Sequence, residues 1–238
     1  MAFYLRGALV EMIPTGLIPL PNIITFQYNP ETLTHTWSQA EPQKTGTNDT
    51  TTNPLAVKGD PGETFSFTLA LDAQDTIAAG GPTGDLAVVS GVYPRLAALE
   101  MLLYPNTATT STSGLLGAVT AAISAAAGGF SLSTQSQVPA KLLNIVLFIW
   151  GPERIVPVRV TALTVTEKYY DVALNPVRAE AQITLKVLTQ DELDHDTSDS
   201  LAAVGKAANT YTQGVRQAQA VANTLFSVAD GIVGVIPA

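Results

Sequence analysis

The most regular alternation of apolar and polar positions lies in the second half of the chain. Residues 142–150 are apolar on both faces, which is typical of a strand covered on both sides. Residues 158–170 and 178–188 alternate with a period of two and are separated by turn residues. We therefore predict a three-stranded antiparallel meander. The alternation slips by one residue between Ala162 and Leu163, which predicts a bulge or a bend there.

Shorter β-type patterns occupy the first third of the chain. Residues 63–71 alternate most clearly, because every second side chain from Phe65 to Leu71 is a large apolar one. Prolines break the chain between the first two segments, and Asn29-Pro30 predicts a turn after the second. The predicted strands lie at residues 2–11, 22–28, 33–37 and 63–71.

Three other segments lack the alternation that is typical of strands. Residues 84–104 predict a helix, with Leu96, Leu99 and Leu103 on one face and Pro94 beginning or kinking it. Residues 38–62 form a polar stretch rich in Pro and Gly, which predicts a long loop that a neighbouring subunit orders. Residues 106–137 are a low-complexity insert of Ala, Ser and Thr.

The chain ends in a predicted helical extension, residues 191–238, after a first domain at 1–190. Ser198 or Asp199 is a candidate N-cap of the helix. Its apolar seam follows a heptad, and we predict that the seam docks on another protein, with packing on the sheet of its own domain as an equally open alternative. The predicted interaction residues are Leu201, Val204, Ala208, Tyr211, Val215, Ala218, Ala222 and Leu225.

Charge and composition exclude several classes of function. The formal net charge is −8 and no cluster of basic residues occurs, so nucleic-acid binding is not expected. The chain has no Cys, which excludes disulfides and thiol chemistry. The longest apolar run, at residues 115–127, is shorter than the roughly 20 residues that cross a bilayer, so no stable membrane insertion is expected. Low charge, 13%, with 46% hydrophobic residues suits a protein that covers much of its surface with neighbours.

No pattern of catalytic or metal-ligating residues stands out. The two histidines, His35 and His195, belong to no metal-binding motif, and the acidic residues around His195 are interpreted as a solvated linker. Glu153, Glu167 and Glu180 are carboxylates without a partner in sequence. We therefore predict that the protein is not an enzyme and has no catalytic residue, cofactor or metal.

Several motifs in order carry a resemblance to a known family. Residues 24–33, ITFQYNPETL, resemble the opening of the tube-type baseplate proteins of contractile injection systems, where a short strand ends in an aromatic-Asn-Pro-acidic turn. Residues 146–151, VLFIWG, resemble the apolar strand of that family that closes in Trp-Gly. Tyr169-Tyr170 and residues 175–179, NPVRA, resemble its aromatic pair and the turn before its next strand. The resemblance covers about residues 1–190. Two departures are the missing LysM module and the insert at 106–137.

The resemblance implies a mainly β fold with helices: a tail-tube-like antiparallel β-barrel or sandwich with a flanking helix, followed here by the C-terminal helix. It implies a ring of six copies around a channel, connecting the inner tube to the spike or hub and contacting other baseplate subunits. Such a ring assembles in the cytoplasm into a phage-tail-like particle. Ring closure would also cover the sheet edges.

Three alternatives stay open. The first is a tail tube or tail terminator subunit of a phage, which has the same class of fold. The second is a secreted β-sandwich binding module, which a signal peptide and a groove of surface aromatics would favour. The third is a tail-associated hydrolase, which requires a paired acid and base or a metal site.

Overall fold

The computed structural model describes residues 5–13, 20–39, 59–105, 143–196 and 199–235. These residues form seven strands and five helices. The strands are β1 Ala8–Ile13, β2 Leu20–Thr25, β3 Leu33–Ser38, β4 Gly62–Asp72, β5 Ile145–Ile149, β6 Ile155–Tyr170 and β7 Pro176–Val187. The helices are α1 Ala73–Ala79, α2 Gly81–Ser90, α3 Tyr93–Met101, α4 Gln190–Asp196 and α5 Asp199–Val235.

All seven strands form one antiparallel sheet in the order β2-β1-β5-β6-β7-β4-β3. The edge strands β2 and β3 follow each other in the chain, so the short linker at residues 26–32 joins opposite edges. A flat sheet of seven strands would be roughly 29 Å wide, at about 4.8 Å per step. The rings of Phe65 on β4 and Phe148 on β5, three strands apart, lie 5.1 Å from each other. The sheet is therefore strongly curled. The predicted mainly β fold with helices and a C-terminal helix is confirmed.

The predicted meander of β5, β6 and β7 is confirmed. Its register shift lies between Val160 and Ala162, slightly earlier than the slip in the pattern. β5 is apolar on both faces because it separates two clusters of side chains. Val146 and Phe148 face the main core on the concave side, whereas Ile145 packs with Leu193 and Leu201 on the outer side. The outer cluster is the contact through which α4 and α5 cover part of the sheet.

The single helix predicted at residues 84–104 is wrong, because the chain breaks at Gly91 into α2 and α3. Gly91 has a φ of 61°, and a Cβ there would lie 2.2 Å from the carbonyl oxygen of Pro176. Val92 donates a backbone hydrogen bond to the same oxygen at 2.9 Å. This close approach to β7 stops α2, and Pro94 lies in the first turn of α3 as predicted. α1, which the sequence did not predict, begins after the N-cap Asp72.

Two further segments differ from the prediction. β2 passes through Pro21, where a break was expected, because β2 is an edge strand and its proline need not donate to a further strand. The predicted acidic linker around His195 is the short helix α4. Most of the predicted loop at 38–62 and the insert at 106–137 lie outside the described residues.

Candidate assembly surfaces

The outer face of the sheet between β6 and β3 is a polar surface. Two cross-strand rows of side chains define it: Ala162, Thr184, Ser66 and Thr34 in one, and Thr164, Gln182 and Thr68 in the other. All of these residues are exposed or half-exposed. Hydroxyl and amide groups make these two rows polar without charge, whereas the rows on either side carry Arg159 and Lys186 at one end and Glu180 at the other.

The turn between β6 and β7 projects apolar side chains from a rigid loop. The Asp171 carboxylate accepts hydrogen bonds from the backbone N–H groups of Ala173 and Asn175, each at 2.8 Å, and from Asn175 Nδ2 at 2.9 Å. The side-chain bond from Asn175 is the largest cause that lowers the pKa of Asp171. Asn175 Nδ2 also donates to the carbonyl of Val89 at 3.0 Å, which ties the turn to α2. We name the exposed apolar residues here the tip patch: Tyr169, Tyr170, Val172, Leu174 and Val89.

The first half of α5 lies on the outer face of its own sheet. β7 pairs with β6 only from Val158 onwards, so Ile155 has no β7 partner for its backbone groups. The buried hydroxyl of Thr212 replaces that partner. It accepts from Ile155 N–H at 3.1 Å and donates to Ile155 C=O at 2.6 Å. Tyr211 adds a hydrogen bond from its hydroxyl to the carbonyl of Pro152 at 2.9 Å. Polar contacts to the backbone therefore hold α5 in place.

A buried carboxylate joins α5 to the edge of the sheet. Glu63, at the start of β4, accepts from Arg216 Nη1 at 3.0 Å and from Arg216 Nη2 at 2.5 Å. His35 Nε2 on β3 lies 2.5 Å from the same carboxylate, and the His35 ring stacks on Phe65 with the ring centroids 3.9 Å apart. The guanidinium carbon of Arg154 also lies over the Phe65 ring, 5.4 Å from the ring centroid. This cluster fixes α5 at the point where it leaves the sheet.

His35 should make stability sensitive to pH. Burial lowers the pKa of His35 below its ordinary 6.5, although Glu63 raises it and Arg154 and Arg216 lower it further. The folded protein then binds fewer protons than the unfolded chain, so stability is complete above pH 6.5 and falls as the pH decreases below that value. We expect His35→Gln, which can still donate to Glu63, to reduce this fall. Urea unfolding at pH 7.5 and 5.5 measures it, and an identical pH dependence in both proteins would contradict the expectation.

An open cleft of about 410 Å³ lies at the other end of β4 and β7. Four of its five charged side chains are paired with each other: Arg178 Nε lies 2.5 Å from Asp72 Oδ2, and Lys168 contacts Glu180, while Asp75 also lines the cleft. Asp72 also caps α1 by accepting from Gln74 N–H at 2.8 Å. These groups therefore serve the fold. Within the described ranges, no group of three or more His, Asp or Glu residues is placed to hold a metal ion.

The predicted seam of α5 and the face that packs on the sheet share only Leu201 and otherwise lie on different sides of the helix. The packed face comprises Leu201, Ala202, Gly205, Asn209 and Thr212, all buried. Of the predicted seam residues, Leu201 is buried, Val204, Ala208, Val215 and Ala222 are half-buried, and Tyr211, Ala218 and Leu225 are exposed. The docking role of the seam stays a prediction.

Sequence reasoning missed the packed face because its central residues are polar or small. The only signal was the spacing of Asn209, Thr212 and Arg216, which recurs every three to four residues in a helix otherwise rich in Ala. Gly205 permits the close contact, since a Cβ there would lie 3.1 Å from a methyl of Leu193.

A known family matches the chain over all strands of the sheet except β1. A family model described as contractile injection system tube protein matches residues 18–196, from β2 to the end of α4. No curated protein matches the sequence. Among the helices that the structure describes, none has both the length and the apolar character needed to cross a bilayer. The matched residues include both sheet edges and the tip patch, whereas α5 begins after them.

Proposed function

The chain belongs to the contractile injection system tube protein family, and we propose that it forms a ring in the baseplate that connects the inner tube to the spike or hub. Family membership makes it a structural component of a phage-tail-like particle that assembles with other subunits. A role of this kind is non-enzymatic. The ring, its position and its six copies are the proposal.

The proposal of a ring rests on the two unpaired edges of the sheet. Among the described residues, neither β2 nor β3 has a strand on its outer side. Exposed edges tend to pair with another chain. The two edges differ, so β2 of one copy meeting β3 of the next gives a heterologous contact, which forms a ring when its rotation closes after a whole number of copies. The rows of hydroxyl and amide groups between β6 and β3 then suit the wall of an aqueous channel.

The course of α5 favours an adaptor over a repeating tube subunit. From Gln217 to Val228 all residues except Ala222 are exposed, so the helix leaves the sheet after Arg216. Residues 217–235 extend about 28 Å, at about 1.5 Å per residue. A tube made of identical stacked rings needs each end to fit the next ring, and a projecting helix obstructs that contact. A tail tube or terminator subunit of a phage is the second candidate.

A charge on an edge strand should prevent ring closure without unfolding the subunit. Ile23 on β2 is 59% exposed, so Ile23→Lys costs little in the free subunit but places a desolvated ammonium in the strand contact. We expect Ile23→Lys to give monomers by sedimentation velocity where the unaltered chain gives rings.

The matched control is Val88→Lys, which places the same charge on α2 at a residue that is 62% exposed. It should leave the rings intact. Rings that form equally well with Ile23→Lys would show that β2 is not part of the contact.

A further inference from the structure

We propose that the distal segment of α5, residues 217–235, packs in parallel against the same segment of other copies of this chain, in a bundle of more than two helices. This inference rests on the proposed ring, because rotational symmetry makes all copies of α5 project from the same side. The proposed partner of the helix is therefore a second copy of the same helix, whereas the seam pattern predicted only that the helix docks on another protein.

The distal segment exposes apolar side chains that nothing in the described chain covers. Val221, Leu225, Phe226 and Val228 are between 56% and 72% exposed. Singly exposed apolar residues are ordinary, but four within eight residues of one helix form a patch that marks an interaction site. Most helical stability in proteins comes from packing of an apolar face, so a packing partner would also stabilise this segment as a helix.

The width of the apolar face indicates more than one neighbour. At about 100° per residue, the positions from Val228 through Leu225 and Ala222 to Phe226 cover an arc of about 160°. A two-stranded coiled coil buries only the narrower seam of its a and d positions and places charges beside it. Here Val221, Val228 and Phe226 occupy those flanking positions. Each helix therefore has one contact line on either side of the seam, as in a closed bundle.

The absence of charge favours identical copies as the occupant. The sequence has no charged residue between Arg216 and Asp230, so parallel identical helices bring no like charges together along these 13 residues. Ala218 and Ala222 in the seam let neighbouring backbones approach closely. An apolar groove on a different subunit would cover one side of the helix and leave the opposite flank of the arc in water.

Cysteine cross-linking tests the bundle, since the chain has no cysteine of its own. Ala222→Cys places a single thiol in the seam of the full-length chain. The matched control Asn223→Cys places it one residue later, about 100° around the helix and outside the apolar arc. We expect a bismaleimide too short to span two helix diameters to convert most of the Ala222→Cys rings to covalent dimers and to leave Asn223→Cys monomeric on a denaturing gel.

Two double variants, each with a second substitution added to the Ala222→Cys chain, distinguish loss of the helix bundle from loss of the ring. Leu225→Glu should abolish the cross-link while sedimentation still reports rings, whereas Asn223→Glu should keep both. Rings without a cross-link at residue 222, or with equal cross-linking at 222 and 223, would overturn the bundle alone. Incorporation into particles without the cross-link would assign the helix to a different subunit and would also overturn it. A chain that forms no rings would instead contradict the proposed function.

Discussion

Phe148→Ala should lower the free energy of unfolding by about 3–5 kcal/mol, the usual cost of removing a large buried aromatic side chain. Phe148 is fully buried, and its ring lies 5.1 Å from Phe65, 5.5 Å from Phe67 and 6.1 Å from Trp150, measured between ring centroids. These rings come from strands on both halves of the curled sheet. Truncation therefore leaves a cavity where the curl brings the two halves together.

Urea unfolding followed by tryptophan fluorescence measures the effect, and Phe148→Leu is the control. Leucine keeps the site apolar and most of its volume, so its cost should be clearly smaller. A loss of less than about 1 kcal/mol for Phe148→Ala would mean that the two halves of the sheet do not share one core.

Thr212→Val should cost at least about 2 kcal/mol, because it leaves two backbone groups of Ile155 without a partner, each worth about 1–3 kcal/mol when buried and unsatisfied. Valine has nearly the same shape as threonine, so packing changes little and the hydroxyl is the difference. Thr212 is 1% exposed, which keeps water from replacing it. We expect both a lower free energy of unfolding and faster hydrogen exchange of the Ile155 amide.

The control is the same substitution, threonine to valine, at Thr224. Thr224 is exposed on the same helix and donates only to the carbonyl of Ala220, so Thr224→Val should be nearly neutral. Thr212→Ser keeps the hydroxyl and should retain most of the stability. Equal stability of Thr212→Val and the unaltered chain would show that α5 is not held through Ile155.

The sheet was largely predictable because alternation is a strong local signal. Residues 178–188 alternate strictly, and they form β7 almost without change in bounds. β5 was recognisable as a covered strand from its two apolar faces, although the sequence could not show that α4 and α5 cover its outer side. Pairing order was not readable, since β2 and β3 lie at opposite edges although they are neighbours in sequence.

The position of α5 was not predictable, for a physical reason. Periodicity analysis finds apolar faces, but this helix packs on its sheet through Asn209, Thr212 and Arg216, which satisfy backbone carbonyls, an N–H group and a buried carboxylate. Such contacts depend on where β7 ends and where Glu63 lies, which are properties of the folded sheet. The break at Gly91 was missed likewise, since its cause is the carbonyl of Pro176 on a distant strand.

Electron micrographs of the purified full-length chain, with a mass measurement of the same sample, test whether the chain forms a hexameric ring. We expect closed rings with a central opening and the mass of six chains of 24.9 kDa each. A chain that stays monomeric at high concentration and is absent from purified particles would contradict it.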